Sequence, residues 1–280
     1  MFSSTGRTAV RIASNFLCIF MVFSLAGCSR VWQAAYVKGC DREIKKATKA
    51  IEAANNDVQR AAGHADRADA WAEKARYSRA FKLISSEEYE RLMGLATRDY
   101  DEALSLTPAS ADFYFRRGRA HYMRAALDLT EGRKSSDFFA PAKADFSKAI
   151  EKSPSHELAF DMRGLANDAT GNLDESIADF AQEAVLNPRS KYRLADEYCR
   201  RGSRYLSDKK YDPAVVDFEK AIDIETSSDP CECEPYNPLV SIYLDKQDYG
   251  KAQTVADRAK RAGKAIAPEY LDKLKMAANR

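Results

Sequence analysis

The residues of this sequence with the clearest chemical capacity are its cysteines. Cys231 and Cys233 flank Glu232, and Cys199 lies earlier in the chain. Two thiols at such spacing are candidates for a zinc site or for a redox-active pair. A structural zinc site needs four ligands, and no second pair accompanies these two, so we predict no metal site. An enzyme that uses the two thiols remains an alternative, and it would require a thiolate of low pKa.

Other residue types offer no converging catalytic groups. His64, His121 and His156 stand at no spacing that suits a metal, and we interpret them as surface or interhelix residues. The segment 132–135 reads Gly-Arg-Lys-Ser, like the end of a phosphate-binding loop, but it lacks the preceding glycine and the strand that such a loop requires. We therefore predict a chain that is not an enzyme and that needs no cofactor.

One cysteine near the beginning of the chain has a different context. An apolar run over residues 12–25 follows two arginines, and it ends in Leu25-Ala26-Gly27-Cys28. This order resembles the lipobox of bacterial lipoproteins, in which the signal peptide is removed and the cysteine thiol takes a lipid. The resemblance implies a signal peptide at 1–27, a lipid on Cys28 and, because Ser29 and not aspartate follows, an outer-membrane location facing the periplasm. An ordinary secretory signal and a single-pass anchor are the alternatives.

Charge and composition describe the rest of the chain. The 44 basic and 42 acidic side chains nearly cancel, so the net charge predicts no field that would collect nucleic acid or acidic lipid. With only 12 glycines and 9 prolines and with abundant alanine, the composition favours an all-helical protein.

A repeated unit organises this helical chain. Between Pro154 and Pro188, Gly164 is a small residue that lets two helices approach, Gly171 supplies the turn between them, and Phe180 fills the space beneath. Further copies of the pattern are Gly202 with Phe218, Gly118 with Phe146, Val240 with Ala256 and Ala68 with Tyr100.

A period of about thirty-four residues with small and aromatic residues at fixed places resembles the tetratricopeptide repeat (TPR). The resemblance implies an all-α fold, a right-handed superhelical solenoid of stacked helical hairpins. The predicted parts are an anchor and Ala-rich helical segment at 28–60, a TPR solenoid at 61–266 and a C-terminal helix or tail at 267–280. The five repeats are placed at 61–108, 109–154, 155–190, 191–230 and 231–266.

The chain departs from the repeat pattern at three places. Insertions fall near 128–139 and near 77–87, and they are either extended helices or loops. Glu183 occupies a position where the family has alanine. We interpret this glutamate as a local shift and not as the loss of a repeat.

Small residues before the first repeat recur at alternating steps of three and four, which forms a heptad seam. Its members are Val37, Cys40, Ile44, Ala47, Ile51, Ala54, Val58, Ala61, Ala65, Ala68, Ala72 and Ala75. One interpretation is a single long helix that self-associates as an alanine zipper. The other, which we prefer, is two helices that break near Asn55-Asn56, with Asn56 as the cap of the second helix and Gln59 three residues on.

The resemblance to stacked repeats also bears on the cysteines. Cys199 falls early in the first helix of one repeat, and Cys231 and Cys233 fall just before the first helix of the next. Because stacking brings these places together in an oxidising periplasm, we predict a disulfide from Cys199 to Cys231 or Cys233.

The first helices of TPR hairpins line a concave face that binds peptides or protein segments. The residues placed on this face are Phe115, Arg119, Tyr122, Met123, Asp161, Leu165 and Asp168. Their types predict a partner-binding groove that is aromatic and basic at one end and acidic further along.

The function that follows is a non-catalytic, lipid-anchored adaptor that binds a protein or peptide in the bacterial cell envelope and assists the assembly of a complex there. The alternative is a structural envelope lipoprotein that self-associates through the heptad seam. The sequence leaves the oligomeric state open.

Overall fold

The computed structural model describes residues 29–130, 139–224 and 234–278. Within these ranges the chain forms α-helices and one 3-10 turn at Pro188–Ser190, and the predicted all-α class is confirmed. The helices are α1 (Ser29–Glu52), α2 (Asp57–Ala80), α3 (Ser86–Leu106), α4 (Ala111–Thr130), α5 (Ala140–Lys152), α6 (Glu157–Ala169), α7 (Leu173–Leu186), α8 (Lys191–Ser207), α9 (Tyr211–Ile224), α10 (Tyr236–Asp245), α11 (Tyr249–Arg261) and α12 (Pro268–Ala278).

Three sequence predictions fall wholly or partly outside the described residues. They concern the signal peptide with Cys28, the middle of the insertion near 128–139, and Cys231 with Cys233. Among the helices that are described, none is both long enough and apolar enough to cross a membrane.

The chain divides into two compact units, Met1–Leu127 and Asp128–Arg280. In unit 1, helix α2 packs against both α1 and α3. The alanine-rich face of α2 is flat enough for the large side chains Tyr89, Leu92 and Tyr100 of α3 to bury themselves against it. Alanine on one helix and aromatic residues on the other thus make the core of this unit.

The break between α1 and α2 confirms the interpretation of two helices. Asn56 has extended backbone geometry, and its Oδ1 accepts a hydrogen bond from the backbone nitrogen of Gln59 at 2.9 Å. The side chain of Gln59 in turn accepts from the backbone nitrogen of Asn55 at 3.0 Å. The reciprocal bond therefore reaches one residue before the cap, and it fixes the start of α2.

Most residues of the heptad seam are buried by packing between helices of the same chain. Its buried members are Cys40, Ile44, Ala47, Ala61, Ala65, Ala68, Ala72 and Ala75. A zipper between copies requires this face to be exposed, so the alanine-zipper interpretation is wrong: α1 and α3 already cover the seam.

The extra residues of the first hairpin lengthen its helices. Helices α2 and α3 contain 24 and 21 residues, whereas α6 and α7 contain 13 and 14. The segment near 77–87 therefore continues α2 to Ala80 and begins α3 at Ser86, with a short connection between them. Of the two readings of this insertion, extended helices is the one confirmed.

Unit 2 contains three hairpins whose turns have the same geometry. The turns between α6 and α7, α8 and α9, and α10 and α11 place Gly171, Lys209 and Gln247 at φ values of 77°, 58° and 57°. In each turn the next backbone nitrogen donates to the carbonyl five residues earlier, at 2.8–2.9 Å. A single backbone solution thus closes all three hairpins, although only Gly171 is a residue that favours positive φ.

The predicted small-residue contact is also present. A Cβ added to Gly164 would lie 3.0 Å from the Phe180 ring, and one added to Gly202 would lie 3.1 Å from the Phe218 ring. The two glycines allow an aromatic ring from the second helix to reach the backbone of the first. At the end of the unit, α12 buries Leu274 in the core beside α10 and α11 and so covers the last hairpin.

Candidate protein-binding surface

In unit 1 the predicted surface residues lie on α4, and their side chains differ in how far they are exposed to solvent. Phe115 is only 8% exposed, and Met123 packs against the core of the unit. Arg119 is partly exposed and donates a hydrogen bond through Nη2 to Asp69 Oδ1 at 3.1 Å. Arg119 and the half-buried Tyr122 are therefore the two members of this group that retain useful surface.

Asp69 on α2 gathers several donors at this place. Its carboxylate accepts hydrogen bonds from the hydroxyl of Tyr100 and from the guanidinium of Arg116, with Arg116 Nε at 2.8 Å. Burial alone lowers the pKa of Arg116, but the facing carboxylate of Asp69 outweighs it, and the pKa lies above its usual range. The basic character predicted for this region is therefore largely compensated within the protein.

In unit 2 the predicted surface residues lie on α6, on one face of the helix because they are spaced by four and three residues. Asp161 pairs with Arg193, and Asp168 pairs with Arg200. Both arginines belong to α8, and both stand thirty-two residues after their partners. Helices α6 and α8 therefore run parallel in a fixed register, with two ion pairs about 10 Å apart along the axes.

The two ion pairs between α6 and α8, called the ladder below, change the predicted charge of the surface. We expected Asp161 and Asp168 to make it acidic, and that expectation is wrong because an arginine of α8 compensates each carboxylate. Leu165 lies between the two pairs on the same face of α6 and is half-buried. The arrangement is a leucine flanked by two ion pairs, and Arg200, with 52% of its side chain exposed, keeps donors that can reach a bound segment.

Sequence reasoning missed a second set of ion pairs, which lies inside the hairpins. In each case an arginine of the first helix binds a buried aspartate of the second. The pairs are Arg67 with Asp99 at 2.6 Å, Arg163 with Asp179 at 2.6 Å and Arg201 with Asp217 at 2.7 Å. The signal was available in the sequence, since each aspartate directly precedes the aromatic residue of its repeat, which is Tyr100, Phe180 or Phe218.

The residues considered for chemistry are dispersed in the structure. His64 lies 3.2 Å from Asp99, which also binds Arg67, so this histidine belongs to the packing of a hairpin. In the ranges given above, no group of three or more His, Cys, Asp or Glu side chains is arranged to hold a metal ion.

The two described cysteines differ. Cys40 is a free thiol buried between α1 and α2, and burial raises its pKa to about 11, which makes it a poor nucleophile. Cys199 is buried and disulfide-bonded. Its partner lies outside the described residues, so the choice between Cys231 and Cys233 stays a prediction.

Comparison with known proteins gives sparse sequence similarity. No protein-family model matches the chain. A curated protein of Mycosarcoma maydis, the small glutamine-rich tetratricopeptide repeat-containing protein 2, is 28% identical over 102 residues. The match covers 35% of this chain and 28% of that protein, so the chain spans well under a third of the length of its curated relative.

Several solved structures match the chain at low sequence identity. MamA matches with a TM-score of 0.38 and 19% identity, over 69% of this chain and 95% of its own. YrrB, described as a TPR protein with an unusual peptide-binding site, matches with a TM-score of 0.40 and 15% identity, over 76% and 92%. BtubC from P. vanneervenii matches with a TM-score of 0.42 and 18% identity, over 80% of this chain and 90% of its own. The fold is TPR-like. The repeated hairpins, turns and glycine–aromatic contacts described above carry that statement.

One departure from the TPR-like pattern lies beneath the ladder. Glu183 on α7 and Glu197 on α8 are both buried, and the Oε2 atom of each has no hydrogen-bond partner among the residues that the structure describes. Burial and the nearby carboxylate of Asp161 raise the pKa of Glu183 to about 7, although Arg193 opposes the shift. Burial likewise raises the pKa of Glu197. The interface between these hairpins therefore contains two buried carboxyl groups whose pKa values both lie above the ordinary value.

This burial predicts a pH-dependent effect of Glu183→Gln. Between about pH 4.5 and pH 7 the folded protein holds a proton on Glu183 that the unfolded chain has released, so stability falls as the pH rises through this window. Glutamine carries no charge at any of these pH values. We expect Glu183→Gln to be more stable than the unchanged protein at pH 8 by about 1–2 kcal/mol, with the difference shrinking toward pH 4.5.

The measurement is urea denaturation at a series of pH values. Glu175→Gln is the matched control, because Glu175 lies on the same helix and is exposed. A stabilisation by Glu183→Gln that is the same at every pH, or that Glu175→Gln reproduces, would contradict the assignment.

Proposed function

We propose that the protein is a non-catalytic adaptor that binds a protein segment across the first helices of its hairpins, tethered in the bacterial cell envelope by a lipid on Cys28. The observation that carries the binding role is the parallel register of α6 and α8. Their outward residues present Leu165 between two partly exposed ion pairs, which is a small apolar contact framed by groups that form directional hydrogen bonds.

The ion pairs suit this role for a physical reason. Each arginine has five N–H donors, and a single carboxylate engages only some of them. Arg193 and Arg200 are held in place by Asp161 and Asp168, so they lose little conformational freedom when a partner arrives. A segment that offers backbone carbonyls or a carboxylate beside an apolar side chain matches this surface.

Site-specific photo-crosslinking in intact cells tests the binding role. A photoreactive amino acid replaces Leu165 on α6 in one variant and Tyr122 on α4 in another, and a third carries it at the exposed Glu175 on α7 as the matched control. We expect Leu165 in unit 2 and Tyr122 in unit 1 each to crosslink a partner, and Glu175 to crosslink none of those partners. Phe115 is avoided because its burial would confuse a loss of binding with a loss of folding.

Two results would count against the adaptor. Crosslinks of equal yield from all three positions would indicate unspecific contact. Crosslinks only to further copies of this chain would favour the structural alternative, although the seam proposed for self-association is already buried within the chain.

The anchor is tested separately. The support for it is the lipobox order Leu25-Ala26-Gly27-Cys28 after an apolar run, and the serine that follows favours the outer membrane facing the periplasm. We expect Cys28→Ser to lose incorporation of a labelled fatty acid and to move the chain from the membrane fraction to the soluble fraction. Unchanged labelling of Cys28→Ser would overturn the lipid assignment.

A further inference from the structure

The outward face of α1 carries a line of positively charged residues that take no part in the binding surface or the anchor proposed above. Lys38, Arg42, Lys45 and Lys49 are spaced by four, three and four residues, which places them on one face of the helix. All four are exposed. This set, called the basic stripe below, extends about 16 Å along the helix axis at 1.5 Å per residue.

The stripe is not neutralised by its own helix. Asp41 is turned aside, and its carboxylate binds Lys74 of α2 at 2.7 Å. Glu43 lies 3.5 Å from Lys46, a neighbouring lysine outside the stripe. Over the part of the chain that the structure describes, none of the four stripe residues forms an ion pair or a hydrogen bond through its side chain. Four positive charges therefore stand unpaired in a row.

Packing fixes the direction of this row. Cys40, Ile44 and Ala47 occupy the opposite side of α1 and are buried against α2. Helix α1 cannot rotate about its axis without exposing these residues, so the stripe faces away from unit 1. The near-zero net charge of the whole chain hides this local concentration, which is why the overall charge predicted no attraction to acidic lipid.

We propose that the basic stripe binds the anionic headgroups of a phospholipid surface, so that α1 lies along the membrane. A straight row of four cations matches a plane of phosphate groups, and clusters of this size on a helix bind acidic lipid. Trp32, about three turns before the middle of the stripe on the same helix, is 69% exposed, and tryptophan favours the boundary between lipid and water. The inference rests on the proposed anchor in one respect: a lipid on Cys28 brings the start of α1, at Ser29, to that surface.

Vesicle co-sedimentation of the full chain tests the stripe. The vesicles are phosphatidylcholine alone or phosphatidylcholine mixed with phosphatidylglycerol, each at low and at high salt. The stripe variant carries Lys38→Gln, Arg42→Gln, Lys45→Gln and Lys49→Gln. Its matched control removes four exposed lysines elsewhere, through Lys191→Gln, Lys209→Gln, Lys260→Gln and Lys273→Gln, so both variants lose the same net charge.

We expect the unchanged chain to prefer the anionic vesicles, and the stripe variant to bind them about tenfold or more weakly, while the control stays within about twofold. High salt should remove the preference, because the charges are exposed to solvent. Equal loss in both variants would reduce the effect to net charge and overturn the proposal. So would tighter binding of the stripe to an RNA or DNA oligonucleotide than to the anionic vesicles.

A Cys28→Ser version of the same chains separates this inference from the anchor. If the stripe acts as proposed, this version keeps its salt-sensitive preference for phosphatidylglycerol, whatever labelling shows about the lipid. Loss of fatty-acid incorporation with no preference for anionic vesicles in any version would leave the anchor standing and refute the stripe.

Discussion

Replacing Asp217 with alanine is expected to lower the free energy of unfolding by about 3–5 kcal/mol, the range found when one partner of a buried ion pair is removed. Asp217 is 1% exposed and accepts two hydrogen bonds from Arg201, from Nε and Nη2, both at 2.7 Å. The hydrogen bonding of Arg201 to the accepting carboxylate of Asp217 is also the main reason why the pKa of Arg201 lies above its usual range. Without the aspartate, a guanidinium beneath the hairpin faces an empty space with two unused donors.

The chain contains a matched control for this variant. Asp174 binds the same Arg201, through Nη1 at 2.5 Å, but 75% of its side chain is exposed. Asp174→Ala should therefore cost less than about 1 kcal/mol, since water screens the pair it breaks. Both variants are compared by urea denaturation followed by far-UV circular dichroism, because both tryptophans of the chain, Trp32 and Trp71, lie in unit 1.

Similar losses for the two variants would show that the hairpin does not depend on the buried pair. A further check is the corresponding pair of the preceding hairpin. Asp179 binds Arg163 and also accepts from Asn167 Nδ2 at 3.0 Å. Asp179→Ala should therefore cost at least as much stability as Asp217→Ala. It leaves two side chains, Arg163 and Asn167, without their acceptor, whereas Asp217→Ala leaves only Arg201 in that state.

The glycine–aromatic contacts, the turns and the helix cap could be predicted from the sequence, because they depend on residue size and on local backbone conformation. A glycine before an aromatic residue at fixed separation, a turn at Gly171 and a cap at Asn56 are all set within one hairpin. Charged pairs were missed for the opposite reason. An arginine or aspartate has a solvated position as its usual environment, so its burial becomes visible only when two helices are placed together.

The heptad seam shows a second limit. Apolar spacing of three and four residues marks one face of a helix, but it does not say whether the covering helix belongs to the same chain. The break at Asn55-Asn56 folds α2 back against α1, and the seam is buried in this way. The candidate surface follows the same logic, because the compensation of Asp161 by Arg193 depends on the register between two hairpins.

The ion pairs of unit 2 are of two kinds, within a hairpin and between hairpins, and the two kinds have different roles. Pairs within a hairpin, such as Arg201 with Asp217, are buried and hold its two helices together. Pairs between hairpins, such as Asp168 with Arg200, are partly exposed and set the register of the outward face. A change in the first kind should alter stability, and a change in the second should alter partner binding with a smaller cost in stability.

Replacing Gly164 with valine is expected to destabilise the protein by about 2–3 kcal/mol. A Cβ at this position would lie 3.0 Å from Cε1, 3.1 Å from Cζ and 3.2 Å from Cδ1 of Phe180. The ring is buried and cannot swing into solvent, so either it leaves its rotamer or the two helices of the hairpin separate. Gly94→Val is the matched control, because a Cβ at Gly94 meets nothing within 4 Å.

The control should be neutral or slightly stabilising, since valine is the better helix former. The double variant Gly164→Val with Phe180→Leu identifies the cause of the loss. A smaller side chain at position 180 relieves the clash, so the two changes together should cost less than the sum of their separate effects, as unfolding measurements on the four proteins of the cycle would show. Strict additivity would mean that the glycine is required for some reason other than the approach of the ring. In that case the glycine–aromatic contact would not be the feature that fixes the distance between the helices of each hairpin.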